Sequence, residues 1–307
     1  MVNILVQVTA YVSCASCLSA IITFLYFSDL LKRLYIRLVL YISLCDLFAS
    51  LLLVYNAEDG SFGCWIQGLF LNYFQLASIM WVDIVVWHLF CAVVMEKKSA
   101  IGVHIHAVGW GVPLFFMASM LSMNNIGRLS TGENYEYCWF VKRDGGPSWG
   151  SALGEISFFL VIWLSILYII CLFICILKKT GRNFVALSPH IKAALKKLSF
   201  YPVVFVVCYS LISYRFIVDA LFPSSSNYCD EIAIASDVVL AAQGLFTAII
   251  FWKSNSSILS LWGLDTVIEV VRTWGCCKRL GGSTTGLTQE SSSLNQPILI
   301  SVDSPTP

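Results

Sequence analysis

The chain has 307 residues, of which 58% are hydrophobic and 12% charged, with a formal net charge of +1. Soluble domains carry roughly 25% charged residues, and one soluble core cannot hide so much apolar surface. The same composition excludes disorder for most of the chain, and a near-neutral charge without a basic domain excludes a nucleic-acid binder.

What remains is an all-α membrane protein. Seven apolar runs of membrane-spanning length are predicted at residues 2–27, 35–57, 65–95, 101–123, 150–177, 198–222 and 232–252. None alternates in apolarity as a barrel strand does. The third is long enough to tilt or to extend past the bilayer. The expected architecture is a seven-transmembrane helix bundle over residues 1–255. A cytoplasmic amphipathic helix at 256–277 and a disordered tail at 278–307 follow it.

Lys and Arg in the short loops set the direction. Lys32, Arg33, Arg37, Lys97, Lys98, Lys178, Lys179, Arg182, Lys192, Lys196 and Lys197 fall in one set of loops. Only Arg128, Lys142 and Arg143 fall in the other. The N-terminus is therefore expected outside and the C-terminus in the cytoplasm of a plasma-membrane protein. The first run lacks a basic n-region and reads as a signal-anchor rather than a cleaved signal. Only a few residues precede it, so no outer ligand-binding domain is expected.

Seven of the twelve cysteines lie within spans, where a thiol is a small hydrophobe. Cys64, Cys138 and Cys229 face the oxidising side, and a Cys64–Cys138 bridge is expected, with Cys229 left odd. Beyond the seventh span, Leu264, Val267, Ile268, Val271 and Trp274 form an apolar helical face. Cys276 and Cys277 follow it and are candidates for palmitoylation or remain plain thiols. The tail, rich in Ser, Thr, Gly and Pro, has hydroxyls that either accept phosphate or are simply solvated.

Ionisable groups inside a bilayer are costly and face the bundle or a wet cavity. Counting along the spans places them in two layers. The outer layer holds Glu155, Arg215, Asp219 and Asp237, with Asn72 and Gln75 on one face of span three. Arg215 and Asp219 are four apart and share a helical face. A guanidinium grips carboxylates or phosphates through two oxygens at once. The layer reads either as a pocket for a small polar, anionic ligand lined by Asn72, Gln75, Arg215, Asp219 and Asp237, or as a structural salt bridge of Arg215 with Asp219 or Asp237.

The inner layer holds Asp46, Asp83 and His88, with His88 expected at the interface. Asp46 and Asp83 read either as a pH- or cation-sensitive switch or as hydrogen-bonded packing. Pro202, in the cytoplasmic third of span six, permits a kink there. The basic stretch Lys192, Lys196 and Lys197, with Lys97 and Lys98, reads as a docking face or as positive-inside topology alone.

These residues carry a resemblance. The run Leu31-Lys32-Arg33-Leu34-Tyr35-Ile36-Arg37-Leu38-Val39-Leu40-Tyr41 leads into Asp46-Leu47, and Cys64-Trp65-Ile66-Gln67-Gly68 opens span three. Ala77-Ser78 with Trp81, Cys138-Trp139, Tyr201-Pro202, Gln243-Gly244-Leu245-Phe246 and Asn255-Ser256-Ser257 follow in order. From about residue 30 to 260 the chain resembles the slime-mould cyclic-AMP-receptor family of G-protein-coupled receptors and its plant relatives. The resemblance implies a heterotrimeric G protein as partner and, independently, the Cys64–Cys138 bridge. Secretin-type receptors share the tryptophan and span-seven features but carry a large outer domain. The family's Pro-Gly near the outer end of span six is absent from Cys208-Tyr209-Ser210-Leu211-Ile212-Ser213-Tyr214-Arg215, and the arginine is displaced by one position. One residue is a turn of about 100° on a helix. The departure counts against cyclic AMP as the ligand but not against an outer pocket.

The expected function is a receptor that passes an extracellular small-molecule signal to a heterotrimeric G protein within membrane lipid. A seven-helix transporter or channel for a small polar solute is the alternative, although no internal repeat is visible. A retinal protein needs a mid-span lysine, and Lys253 stands at the end of span seven. No metal motif, nucleophile elbow or phosphate loop suggests an enzyme, so no catalytic residue, metal or cofactor is expected.

Overall fold

A computed structural model of the chain describes residues 2–27, 34–55, 57–97, 102–121, 126–131, 135–140, 148–183, 192, 195, 197–221 and 226–255. Helices α1 (Val2–Tyr26), α2 (Leu34–Val54) and α3 (Phe62–Val93) form the first three spans. The fourth is α4 (Val103–His106), a π-helical turn (Ala107–Gly111) and α5 (Val112–Leu121) in succession. A hairpin of β1 (Ile126–Thr131) and β2 (Tyr135–Phe140) follows, then α6 (Ser148–Asn183) and α7 (Phe200–Leu221). The seventh span is α8 (Ser226–Ala241) and α9 (Gln243–Ser254), bent by 42° where they meet. The chain is thus a seven-helix membrane bundle. The expected interfacial helix, Cys276, Cys277 and the tail lie outside the described residues.

The apolar stretches explain the helices, and their packing explains the breaks. Along α6, Leu160, Leu164, Leu167, Ile174 and Leu177 are exposed, as are Leu18, Ile22 and Leu25 on α1. Such faces suit hydrocarbon and need no protein cover. Helix α3 is the opposite case, with buried residues on nearly all sides, from Cys64 to Val93. It is the axis around which α2, α5 and α6 gather.

In the fourth span the π-turn lies directly before Pro113 of α5. Proline has no N–H and crowds the carbonyl four residues back, here Gly109. Gly109 also meets the fully buried ring of Trp81, and an added Cβ would stand 2.6 Å from Trp81 Cε2. Around that contact Tyr41, His106 and Trp110 close a box of rings, with Tyr41 and Trp81 at 4.4 Å and Trp81 and Trp110 at 5.4 Å. The box fixes α2, α3 and the fourth span together.

The sequence reading contained no strand, yet the hairpin is a central feature. Its two strands pair antiparallel, with Ile126 opposite Phe140 and Arg128 opposite Cys138. Cys138 is bridged to Cys64 at the start of α3, across 74 residues. Gln67, one turn on, accepts from the Cys138 backbone N–H at 3.3 Å and donates to the Leu52 and Tyr55 carbonyls, each at 2.7 Å. Gly68 lets the strands lie against α3, because a Cβ there would come within 2.6 Å of Ile126 Cγ2 and 3.1 Å of the Cys138 carbonyl. The Trp139 ring meets Phe158 of α6 edge-on at 5.3 Å.

Candidate functional site

Two polar clusters stand in the bundle. The first is built on Asp46, about 18 Å along α2 from Leu34 at 1.5 Å per residue. It is 3% exposed. A carboxyl at this depth costs several kcal/mol unless donors surround it. Ser78 of α3 donates to Oδ1 at 2.8 Å, Gln243 of α9 donates to the same oxygen at 3.1 Å, and Thr247 donates to Oδ2 at 2.7 Å. Gln243 also donates to Ser78 Oγ at 3.2 Å.

The bend in span seven makes this geometry. Gln243 is the first residue of α9 and Thr247 lies one turn on, so both side chains reach the same carboxyl. Between them Gly244 allows α1 and α2 to close in. An added Cβ there would stand 2.5 Å from Cys17 Sγ, 2.5 Å from Ser13 Oγ and 3.3 Å from Asp46 Cβ. Ser13 and Ser50 join α1 to α2 at 2.9 Å. Next to this hub a cavity of about 10 Å³ takes its polar lining from Asp46, Ser50, Gln75 and Gln243. That is about the space of one water. Gln75 is buried and its Nε2 has no protein partner.

The second cluster lies at the hairpin end. Arg215 of α7 donates to Asp237 Oδ1 of α8 at 3.0 Å and to Ser236 Oγ at 3.3 Å. Tyr137 of β2 donates its hydroxyl to the same Asp237 oxygen at 3.3 Å. The ring that carries this hydroxyl is buried among Val6, Ala10, Leu53, Leu71 and Ala241. One loop side chain therefore joins the acid of span seven to the apolar centre of α1, α2 and α3.

The five residues expected to line one pocket are divided. Arg215 and Asp237 are an ion pair. Gln75 instead shares its cavity with Asp46, which depth counting had assigned to a different layer. Asn72 is fully buried and its Nδ2 donates to the Gly68 carbonyl of its own helix at 2.7 Å. The side chains of Asp219, Glu155 and Cys229 lie outside the described residues.

The other inner groups also sort apart. Asp83 does not meet Asp46 but accepts from Ser165 of α6 at 2.8 Å. His88, expected at the interface, is 6% exposed, and neither ring nitrogen has a hydrogen-bond partner among the described residues. The helix is interrupted at Ser199, which still donates to the Leu195 carbonyl at 3.0 Å; Pro202, the third residue of α7, has no N–H to close the bond to the Leu198 carbonyl.

At the end remote from the hairpin, Lys97 is exposed and Lys192 half-buried. Lys197 lies over the Tyr35 ring at 5.7 Å, while Lys98 and Lys196 lie outside the described residues. Lys179 of α6 pairs with Glu96 at 2.9 Å, beside the end of α3. Glu96 holds a left-handed backbone at φ 55°. Among the described residues no cluster of three or more His, Cys, Asp or Glu is placed to hold a metal.

Residues 1–246 match the family described as "7 transmembrane receptor (Secretin family)". Over 239 residues the chain is 24% identical to "G-protein coupled receptor 1" of Arabidopsis thaliana, covering 74% of this chain and 70% of that protein. It is 26% identical over 167 residues to "Adhesion G-protein coupled receptor G2" of Rattus norvegicus, which is 50% of this chain but 16% of that one. Squid rhodopsin superposes with a TM-score of 0.61 at 12% identity, covering 91% of this chain and 87% of its own. That likeness is one of fold.

Proposed function

The chain belongs to the secretin family of seven-transmembrane receptors, and we propose that it is a G-protein-coupled receptor of the cyclic-AMP-receptor-like type, answering an extracellular small molecule. The family match over residues 1–246 carries this reading. It places the receptor fold on a chain whose sequence motifs run in the order of the cyclic-AMP-receptor group, and a plant receptor is among its relatives.

In this reading the hairpin end is extracellular. The Cys64–Cys138 bridge needs an oxidising compartment, and the Lys and Arg residues gather at the far end. A small ligand acts on the Arg215–Asp237 pair, where a guanidinium and a carboxylate offer both signs of charge. The pair belongs to spans six and seven. A ligand that separates or bridges them biases the bend before Gln243 and the turn at Ser199, below Pro202. Asp46 and Asp83 form the switch layer, with Gln75 beside Asp46. The G protein meets the face carrying Lys97, Lys98, Lys192, Lys196 and Lys197, and palmitoylation at Cys276 and Cys277 anchors the segment that follows.

A G-protein dissociation assay in cells, run with nucleotides, organic acids and amines, tests this. The expected result is a response to at least one compound that Arg215→Ala abolishes at equal surface expression. Silence with every compound, together with solute flux through the protein in liposomes, would make it a transporter instead.

A further inference from the structure

Loops of membrane bundles ordinarily run over the end of the bundle, because buried loop backbone is hard to satisfy. Here the Tyr137 side chain leaves that surface. Tyr137 is 5% exposed, and its ring lies among Val6, Ala10, Leu53, Leu71 and Ala241 from α1, α2, α3 and α8. The strand alternates, so Tyr137 points opposite to its neighbour Cys138. That neighbour is held three ways: by the bond to Cys64, by Gln67 and by the close approach to Gly68. The anchors fix the backbone beside the bundle while the side chain descends into it.

The phenol is seated as a bound molecule would be. An apolar sleeve surrounds the ring, and a charged acceptor meets the hydroxyl at its polar tip. The hydroxyl reaches Asp237 Oδ1 at 3.3 Å, while Arg215 holds the same oxygen at 3.0 Å.

From this we infer that the apolar sleeve above the Arg215–Asp237 pair is a binding site for a small para-substituted phenol, which the chain fills with its own Tyr137. The inference deepens the receptor reading, because a ligand reaches the ion pair by displacing this side chain. The binding site itself does not depend on G-protein coupling.

Chemical rescue tests it without any signalling readout. In full-length Tyr137→Gly protein in detergent, p-cresol refills the vacated sleeve and raises the melting temperature saturably, by mass action. The unsubstituted protein, its sleeve already filled, gains several-fold less. Toluene, with the same ring and no hydroxyl, stabilises Tyr137→Gly less than p-cresol does. Equal p-cresol shifts in both proteins, or none in Tyr137→Gly, overturns the inference. If Tyr137→Gly does not fold alone, expression with p-cresol decides. Recovery of folded, disulfide-bonded protein supports the site, and no recovery contradicts it. Tyr137→Phe, which keeps the ring in place, serves as the filled control and shows no p-cresol rescue.

Discussion

Thr247 donates its hydroxyl to Asp46 Oδ2 across 2.7 Å, tying span seven beyond its bend to the middle of span two. Gln243 and Ser78 complete the carboxyl's coordination from two helices. Removing one donor while keeping its shape isolates this tie. Thr247→Val is expected to cost about 1–3 kcal/mol, the penalty for a hydrogen bond lost from a buried charged group. In thermal unfolding of the solubilised protein this reads as a lower melting temperature. Combining it with Asp46→Asn is expected to cost less than the two single losses added, because both remove the same contact.

At Gly244 α1 and α2 close on α9, with Cys17 Sγ and Ser13 Oγ each at 2.5 Å from an added Cβ. Gly244→Ala forces those short, buried side chains aside and is expected to cost about 1–3 kcal/mol as overpacking. Removing both obstructing atoms with Ser13→Ala and Cys17→Ala should restore most of the loss, again measured as melting temperature. An unchanged Gly244→Ala protein would mean that the helices are further apart than described.

Much of this architecture is legible in the sequence. Seven apolar runs correspond to seven spans, with ends that differ by up to six residues at Asn183 and Ser226, since hydrocarbon thickness sets a minimum length. Cys64 and Cys138 were joined by their compartment. The missed features depend on contacts between distant segments. No proline marks the bend before Gln243, so the meeting of Gln243 and Thr247 with Asp46 is not readable from span seven alone. Of the two acids the sequence offered Arg215, Asp237 of span seven is an ion-pair partner at 3.0 Å. Counting residues along each span separated Gln75 from Asp46, because such counting ignores tilt and bend. The hairpin strands alternate weakly, and nothing in Tyr135-Glu136-Tyr137 says that Tyr137 enters the bundle.

The Cys64–Cys138 bridge closes a loop spanning 74 positions. In the chain-entropy picture a loop of that size is worth about 4 kcal/mol. Cys64→Ser, Cys138→Ser and the double substitution are expected to lose surface expression equally, because each breaks the same bond. Additive losses would show that the two thiols act separately.

Arg215 and Asp237 test the cost of a buried ion pair. Arg215→Ala takes the guanidinium from a carboxylate that is 5% exposed. Breaking such a pair from one side typically costs about 3–5 kcal/mol. Removing both groups, as Arg215→Leu with Asp237→Leu, is expected to recover most of that stability in thermal unfolding while leaving any ligand response abolished. Recovery of the response as well would place the ligand elsewhere.

The central claim is that this bundle drives nucleotide exchange on a G protein. The direct measurement is GTP uptake by purified heterotrimeric G proteins, with the full chain in lipid nanodiscs. The account predicts that the receptor accelerates uptake over empty nanodiscs when an agonist found in the cell assay is added, and that Arg215→Ala abolishes the gain. Uptake no faster than with empty nanodiscs, for every G-protein class and with folded, disulfide-bonded protein, would contradict it.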